Sequence, residues 1–281
     1  ADAGGPDTVR VEFSISAGKG RALLRQGRGD LLWPVPPGML AQPLPDGYRS
    51  VLHAARPSRR LWLVMRSDLP PTARIEARRA LAHGLNRPAL LSLLGIRAGG
   101  SQAWLTGGDA IDLPRRDAGA VREWLERGHL GRSMHVVMAY AADGVGAEIA
   151  RGMQTEWAGV AIDVDLRPLR LGSMTAEALR RGGAQLLLLE AQPMAEDPVG
   201  ELAALVQPLN APPVGTFRTG WSTREFDRWI GPQPPETPLD LELAQRRLAE
   251  EVIALPLARL PWVWVVRAVG IRIDGHPRVG P

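Results

Sequence analysis

Cysteine is absent from this 281-residue chain. That excludes disulfides, thiolate metal sites, iron–sulfur clusters and thiol nucleophiles. A chain of this length can bury enough core to do without disulfides, so the absence leaves the compartment open. Lysine is nearly missing as well: Lys19 stands alone among 34 basic residues. Histidine occurs 5 times, at positions 53, 83, 129, 135 and 276, with no pair at metal-ligand spacing. No run of about 18 apolar residues occurs, so no helix is expected to span a membrane. The nearest candidate, 252–266, is broken by Pro256, Arg259 and Pro261.

What is present is ordinary globular material, 45% hydrophobic and 23% charged. The net charge is only +4, although the pI is near 10.4. Arginines are scattered, with Glu76, Glu123, Glu126, Asp163 and Glu250 between them. A polyanion binder concentrates its charge in one stripe, so no nucleic-acid partner is expected. The first residue is Ala1, and the polar stretch 1–6 reads as a mature end left by signal-peptide removal or as a fragment boundary.

Strands and helices alternate along the chain, which predicts an α/β fold. Val9, Val11, Phe13 and Ile15 alternate with polar residues as in a strand, and residues 21–24 signal a short helix ending at the turn 27–30. Residues 60–65 read as another strand. Ile75, Ala77, Leu81 and Leu85 lie at helical spacing, and Asn86 with Pro88 restarts a second helix. Asp117 is the expected cap of a helix with Val121, Trp124 and Leu125 inward, closed by Gly128. A strand at 133–140, a helix at 148–159 and an alternating strand at 160–166 follow. Further on come a helix at 174–181 and an apolar strand at 184–189. Thr237 and Pro238 signal a helix start, and Leu241, Ala244, Leu248 and Val252 form its inner stripe. Residues 262–266 are the last clear strand.

A search for chemistry returns little. Gly18-Lys19-Gly20 and Gly27-Arg28-Gly29 lack the further residues of a phosphate loop, and no Gly-x-Ser-x-Gly elbow exists. Asp163 and Asp165 lie on the polar face of an alternating strand and read as solvated charges. No nucleophile–base pair can be argued, so no enzyme, catalytic residue, cofactor or metal is expected.

Several motifs nonetheless stand in a meaningful order. Residues 77–90, ARRALAHGLNRPAL, resemble the "vRqAlayAiDReal" helix pair of the extracellular solute-binding proteins of family 5, the peptide, dipeptide and nickel receptors of ABC importers. Residues 117–128, the strand 134–140, the stretch 153–164, the Asp197-Pro198 pair, Asp227 and the segment 240–269 are similar to later motifs of that family in the same order. Arg28-Gly29-Asp30 stands in the family's "GeiD" place.

The resemblance implies an incomplete set of type II periplasmic-binding-protein lobes. Residues 1–65 would be part of lobe I, 66–255 lobe III, and 256–281 the return segment, without the first part of lobe I and without lobe II. It implies non-catalytic capture of a small peptide-like solute, an ABC permease as partner and an extracytoplasmic location. Met194 stands near the place of the acid that pairs with a peptide's α-amino group in the family, and a thioether cannot replace it. Glu190, Asp197 and Trp221 are the candidate ligand-binding residues. Each also has a structural reading: a strand-end charge, a helix cap and loop packing. The alternative function is a trimmed homologue that serves as a structural or partner-binding subunit of a membrane complex.

Overall fold

The computed structural model describes residues 17–32, 35, 43–53, 59–93, 99–100, 103–105, 108–109, 111–142, 146–169, 183–191, 197–206, 219–221, 223–230, 238–260 and 262–268. The strand expected around 9–15, the helix expected at 174–181, and the positions of Met194 and Thr237 lie outside these residues. The chain divides into two compact units, Ala1–His53 with Val263–Pro281, and Ala54–Trp262. The cuts fall before strand 59–65 and after strand 254–260, because those two strands pair within the larger unit's sheet.

In the smaller unit, α1 (Ala17–Arg25) ends in a turn whose Gly27 has φ 66°, a left-handed conformation that favours glycine. The chain then enters β1 (Leu31–Leu32) and β2 (Tyr48–His53), which flank β9 (Trp262–Arg267) in the order β1-β9-β2. Leu24, Leu32 and Val265 make a small core. Tyr48 donates its hydroxyl to the Gly29 carbonyl (2.7 Å), fixing the turn to the sheet.

The larger unit holds a six-stranded sheet. Its strands are β3 (Arg59–Met65), β4 (Gly99–Gly100), β5 (Met134–Ala141), β6 (Ile162–Leu169), β7 (Leu186–Ala191) and β8 (Ala254–Leu260), in the order β4-β8-β3-β7-β5-β6. β5 runs parallel to β6 and β7, while the β7–β3, β3–β8 and β8–β4 pairs are antiparallel. The helices are α2 (Ile75–His83), α3 (Arg87–Leu93), α4 (Ala118–Arg127), α5 (Gly146–Ala158), α6 (Pro198–Val206), α7 (Arg224–Ile230) and α8 (Leu241–Glu251).

Local chemistry explains these boundaries. Asp117 accepts from the Gly119 and Ala120 amides, the cap the sequence predicts for α4. Those two amides, Ala120 first, hold its carboxyl below the usual range. In α5, Ile149, Met153 and Trp157 are buried as their spacing requires. Trp157 donates its indole N–H to the Leu81 carbonyl (2.9 Å), and its ring lies 2.6 Å from where a Cβ on Gly84 would sit, so only glycine fits there. Arg78, of the motif-bearing α2, is buried. Its Nε donates to the Glu251 carbonyl (2.8 Å) and Nη1 to the Thr72 carbonyl (3.0 Å), while Nη2 pairs with the Glu251 carboxylate at 3.2 Å. It thereby satisfies the end of α8. Burial lowers its pKa, and the Glu251 charge partly offsets that.

Two expectations are corrected. Trp124 is half-buried, not fully inward: Arg79 and Arg127 stack on its ring at 4.9 and 5.0 Å, while Val121 and Leu125 are the buried residues of α4. The helix expected to run from 240 to 255 stops at Glu251, because Val252 turns left-handed (φ 51°) and the strand β8 begins at Ala254. Pro256 does not prevent that strand. The register slips at this proline, so that Leu61 faces Ala258 while Trp62 faces Pro256. Such a bulge accommodates a residue with no N–H to give the ladder.

Candidate functional site

The pairing register decides which side chains gather. Tyr140 on β5 lies beside Pro168 on β6 and Leu188 on β7. The carboxyl ends of the three parallel-running strands therefore share one end of the sheet. In open α/β sheets that is the end outside which ligands bind. β7 delivers Glu190 there, half-buried and directly across from Leu61 at the start of β3. Glu190 is engaged by a neighbour, so it is not an idle surface charge.

After β7 the chain returns through α6. Asp197 caps this helix: one carboxylate oxygen accepts from Val199 N and the other from Gly200 N, both at 3.0 Å. The carboxylate is exposed, so it can serve as cap and still meet a solute. One turn later, Glu201 reaches Arg60 on β3 at 3.5 Å, with side chains only 11% and 4% exposed. Arg60 also donates to the Trp104 carbonyl (3.1 Å). This pair fastens the first turn of α6 to the start of β3 and keeps Asp197 at the same sheet end as Glu190.

Trp221 lies elsewhere. The far end of α6 meets Thr219, whose hydroxyl donates to the Leu205 carbonyl (2.6 Å). The Thr219 carbonyl in turn accepts from Ser67 N (2.6 Å), just beyond the end of β3. From Leu61 to Ser67 is six strand steps, about 20 Å at the usual rise per residue. Trp221 packs edge-on to Phe226 at 5.7 Å and 71°. Glu190 and Asp197 thus lie at one end of the sheet, Glu190 on the face of Leu61 and Asp197 with α6 on the face of Arg60, while Trp221 lies near the other end.

Sequence reasoning overlooked Arg60, Glu201 and Arg259. A signal for two of them existed: Arg60 and Arg259 interrupt otherwise apolar strand segments, and a charge there needs a partner or a purpose. Asp163 and Asp165 are exposed on β6, as the alternating pattern of that strand predicts. His135 lies on the exposed face of β5, 3.0 Å from Asp163 and 3.5 Å from Asp165 on β6. Among the described residues no group of three or more His, Asp or Glu could hold a metal ion, and no helix is long and apolar enough to cross a membrane.

No family model and no curated protein matches the chain by sequence. Solved structures do match its fold. The periplasmic binding protein DppA of Helicobacter pylori, in complex with the peptide STSA, superposes with a TM-score of 0.75 at 16% identity, over 90% of this chain and 51% of its own. A dipeptide-binding protein of Pseudoalteromonas sp. SM9913, solved with Met-Leu, has a TM-score of 0.75 at 16% identity, over 91% and 54%. NikA of Brucella suis, in complex with Fe(III)-EDTA, has a TM-score of 0.73 at 16% identity, over 94% and 58%. The fold is that of the type II periplasmic binding proteins, and the resemblance read from the motifs holds at that level. The chain spans about half the length of these structures.

Proposed function

We propose that this chain is the solute-capturing part of a non-catalytic binding protein for an ABC importer, working outside the cytoplasm on a small peptide-like solute. In this reading the larger unit is lobe III and the smaller unit belongs to lobe I. The observation that carries it is the sheet end at which the parallel strands finish, which presents the exposed Asp197 on a fold shared with proteins solved bound to STSA and Met-Leu. The Asp197 carboxylate, held by its helix cap and exposed, is suited to a cationic group such as a peptide ammonium. It would take over the task for which the family uses an acid near Met194. The remaining candidate, Trp221, is assigned to packing.

The test is a thermal-shift screen of the purified protein against di- and tripeptides. Binding to the native state alone raises the melting temperature, by an amount equivalent to about 2.7 kcal/mol at a hundredfold excess over Kd. The expected result is stabilisation by a subset of peptides that is weakened in Asp197→Asn. A flat response to the whole library, together with co-purification of a membrane complex, overturns the reading in favour of a partner-binding role.

A further inference from the structure

Asp197 reaches the surface through a line of contacts that begins inside the molecule. Arg60, at the start of β3, is buried and donates to the Trp104 carbonyl (3.1 Å). Trp104 is itself fixed, its indole N–H donating to the Ala254 carbonyl (3.0 Å). Arg60 then meets the Glu201 carboxylate at 3.5 Å. The Glu201 amide donates to the Asp197 carbonyl (3.0 Å), so the residue facing Arg60 sits one helical turn from the cap of α6. Such a pair is weak evidence of stabilisation, because taking two charges out of water costs about what their attraction returns. The register adds a second cost. The exposed Arg259 of β8 stands directly across from Arg60, and like charges so placed are unfavourable. An apolar contact would hold α6 to the sheet without either cost and leave it free to slide, whereas a charge pair fixes which atoms meet. The capping carboxylate, for its part, keeps capacity for a ligand. An ionised carboxylate has roughly four acceptor sites, and the Val199 and Gly200 amides occupy only one on each oxygen.

We propose that the buried Arg60–Glu201 pair is the positioning element of the solute site. It tethers the first turn of α6 so that the Asp197 carboxylate meets the solute's amine, and it thereby sets the preference for solutes whose amine is free. This rests on the binding role proposed above. Arg60 and Glu201 act through Asp197 and do not touch the solute. A directed contact of this kind works only when its supporting residues hold it to within about 0.5 Å. Removing either partner loosens the tether, so the preference falls in both cases. A pair acting only through its field would behave differently. Losing Glu201 would then leave a cation near the ammonium and weaken binding, while losing Arg60 would leave an anion there and strengthen it.

The experiment is titration calorimetry of the whole chain with dipeptides drawn from the thermal-shift screen, each with its free amine and as the desamino analogue. It is run on wild type, Glu201→Gln, Arg60→Gln and Thr219→Val, with circular dichroism confirming the fold of each variant. Wild type is expected to bind the amine form roughly tenfold more tightly, the worth of a charge-assisted contact. Glu201→Gln and Arg60→Gln should each erase most of that preference and leave the affinity for the desamino form unchanged. Thr219→Val removes a buried hydrogen bond at the other end of α6 and should keep the full preference; its loss there as well would make the effect a general one and overturn the assignment. A folded Glu201→Gln with the wild-type preference overturns it, and so does a preference that rises in Arg60→Gln. Equal binding of the two forms by wild type overturns it too, while solute capture stands. Should neither form bind wild type at all, the capture role itself fails and the assignment with it. If either glutamine variant does not fold, Glu201→Asp decides: it keeps the charge and shortens the reach, and an undiminished preference overturns the tether.

Discussion

At the Ser67 end of the larger sheet, polar groups are consumed by the chain's own backbone; at the Glu190 end, charged heads remain at the surface. Ser67 donates twice to the Thr219 carbonyl, Thr72 donates its hydroxyl to the Arg66 carbonyl, and Gln185 joins the Val137 amide to the Pro70 carbonyl. Arg66 is taken in two-pronged fashion by Asp68. At the other end, Arg60 and Glu201 form one buried pair, while Asp197 and Arg259 stay exposed. One sheet thus has a closed end that holds the loops down and an open end that can hold a solute. Unsatisfied polar groups are costly only where water is excluded, so the open end can carry them without loss of stability.

Substitutions can break this contrast or sharpen it. The largest effect belongs to the interior between the ends: Trp157→Ala should cost about 3–5 kcal/mol in urea unfolding, since a fully buried indole and its bond to Leu81 are lost together. Next comes a structural pair of the open end. Glu201→Gln should cost roughly 2 kcal/mol by the same measurement, because Arg60 keeps a buried charge with its ion partner removed. A negligible loss there would make the open end functional throughout. At the closed end, Thr219→Val should cost about 1 kcal/mol, the worth of one buried hydroxyl bond, and leave peptide affinity unchanged in calorimetry. Asp197→Ala should show the opposite balance: about 1 kcal/mol or less of stability from the cap, but a measurable fall in peptide affinity.

The smallest effect is a pH signature away from both ends. Asp117 has a lowered pKa in the folded state, so its charge contributes stability above its unfolded value near 3.9, and that contribution is lost as pH falls through the folded value. Asp117→Asn keeps the cap geometry and removes the charge. Wild type should melt slightly higher than this variant at pH 7, and the gap should close as the pH falls below the unfolded value of about 3.9. A gap that is constant with pH would place the effect in hydrogen bonding alone.

Much of this fold was legible because it is written locally. Asp117 precedes its helix by one residue, and Ile149, Met153 and Trp157 repeat at the helical period, so window-scale reasoning finds both. β8 was not legible as a strand from Ala254, since Pro256 and the preceding helix stripe both argue against it, and only the pairing with β3 supplies the reason. The candidate site divides in the same way. Glu190 and Asp197 sit at element boundaries that the sequence marks. Trp221 was grouped with them only because the Thr219–Ser67 contact, spanning 152 residues, is invisible to any local pattern. Arg60 and Glu201 are likewise joined by tertiary register and not by spacing.

Because a strand's side chains obey a parity rule, the supernumerary Leu257 opposite Trp62 sets the phase of everything downstream of it. Pair the two strands without that slip and position 259 would face Arg59, turning its guanidinium to the side of Leu61 and away from α6. The bulge beside the proline is therefore what aims the arginine.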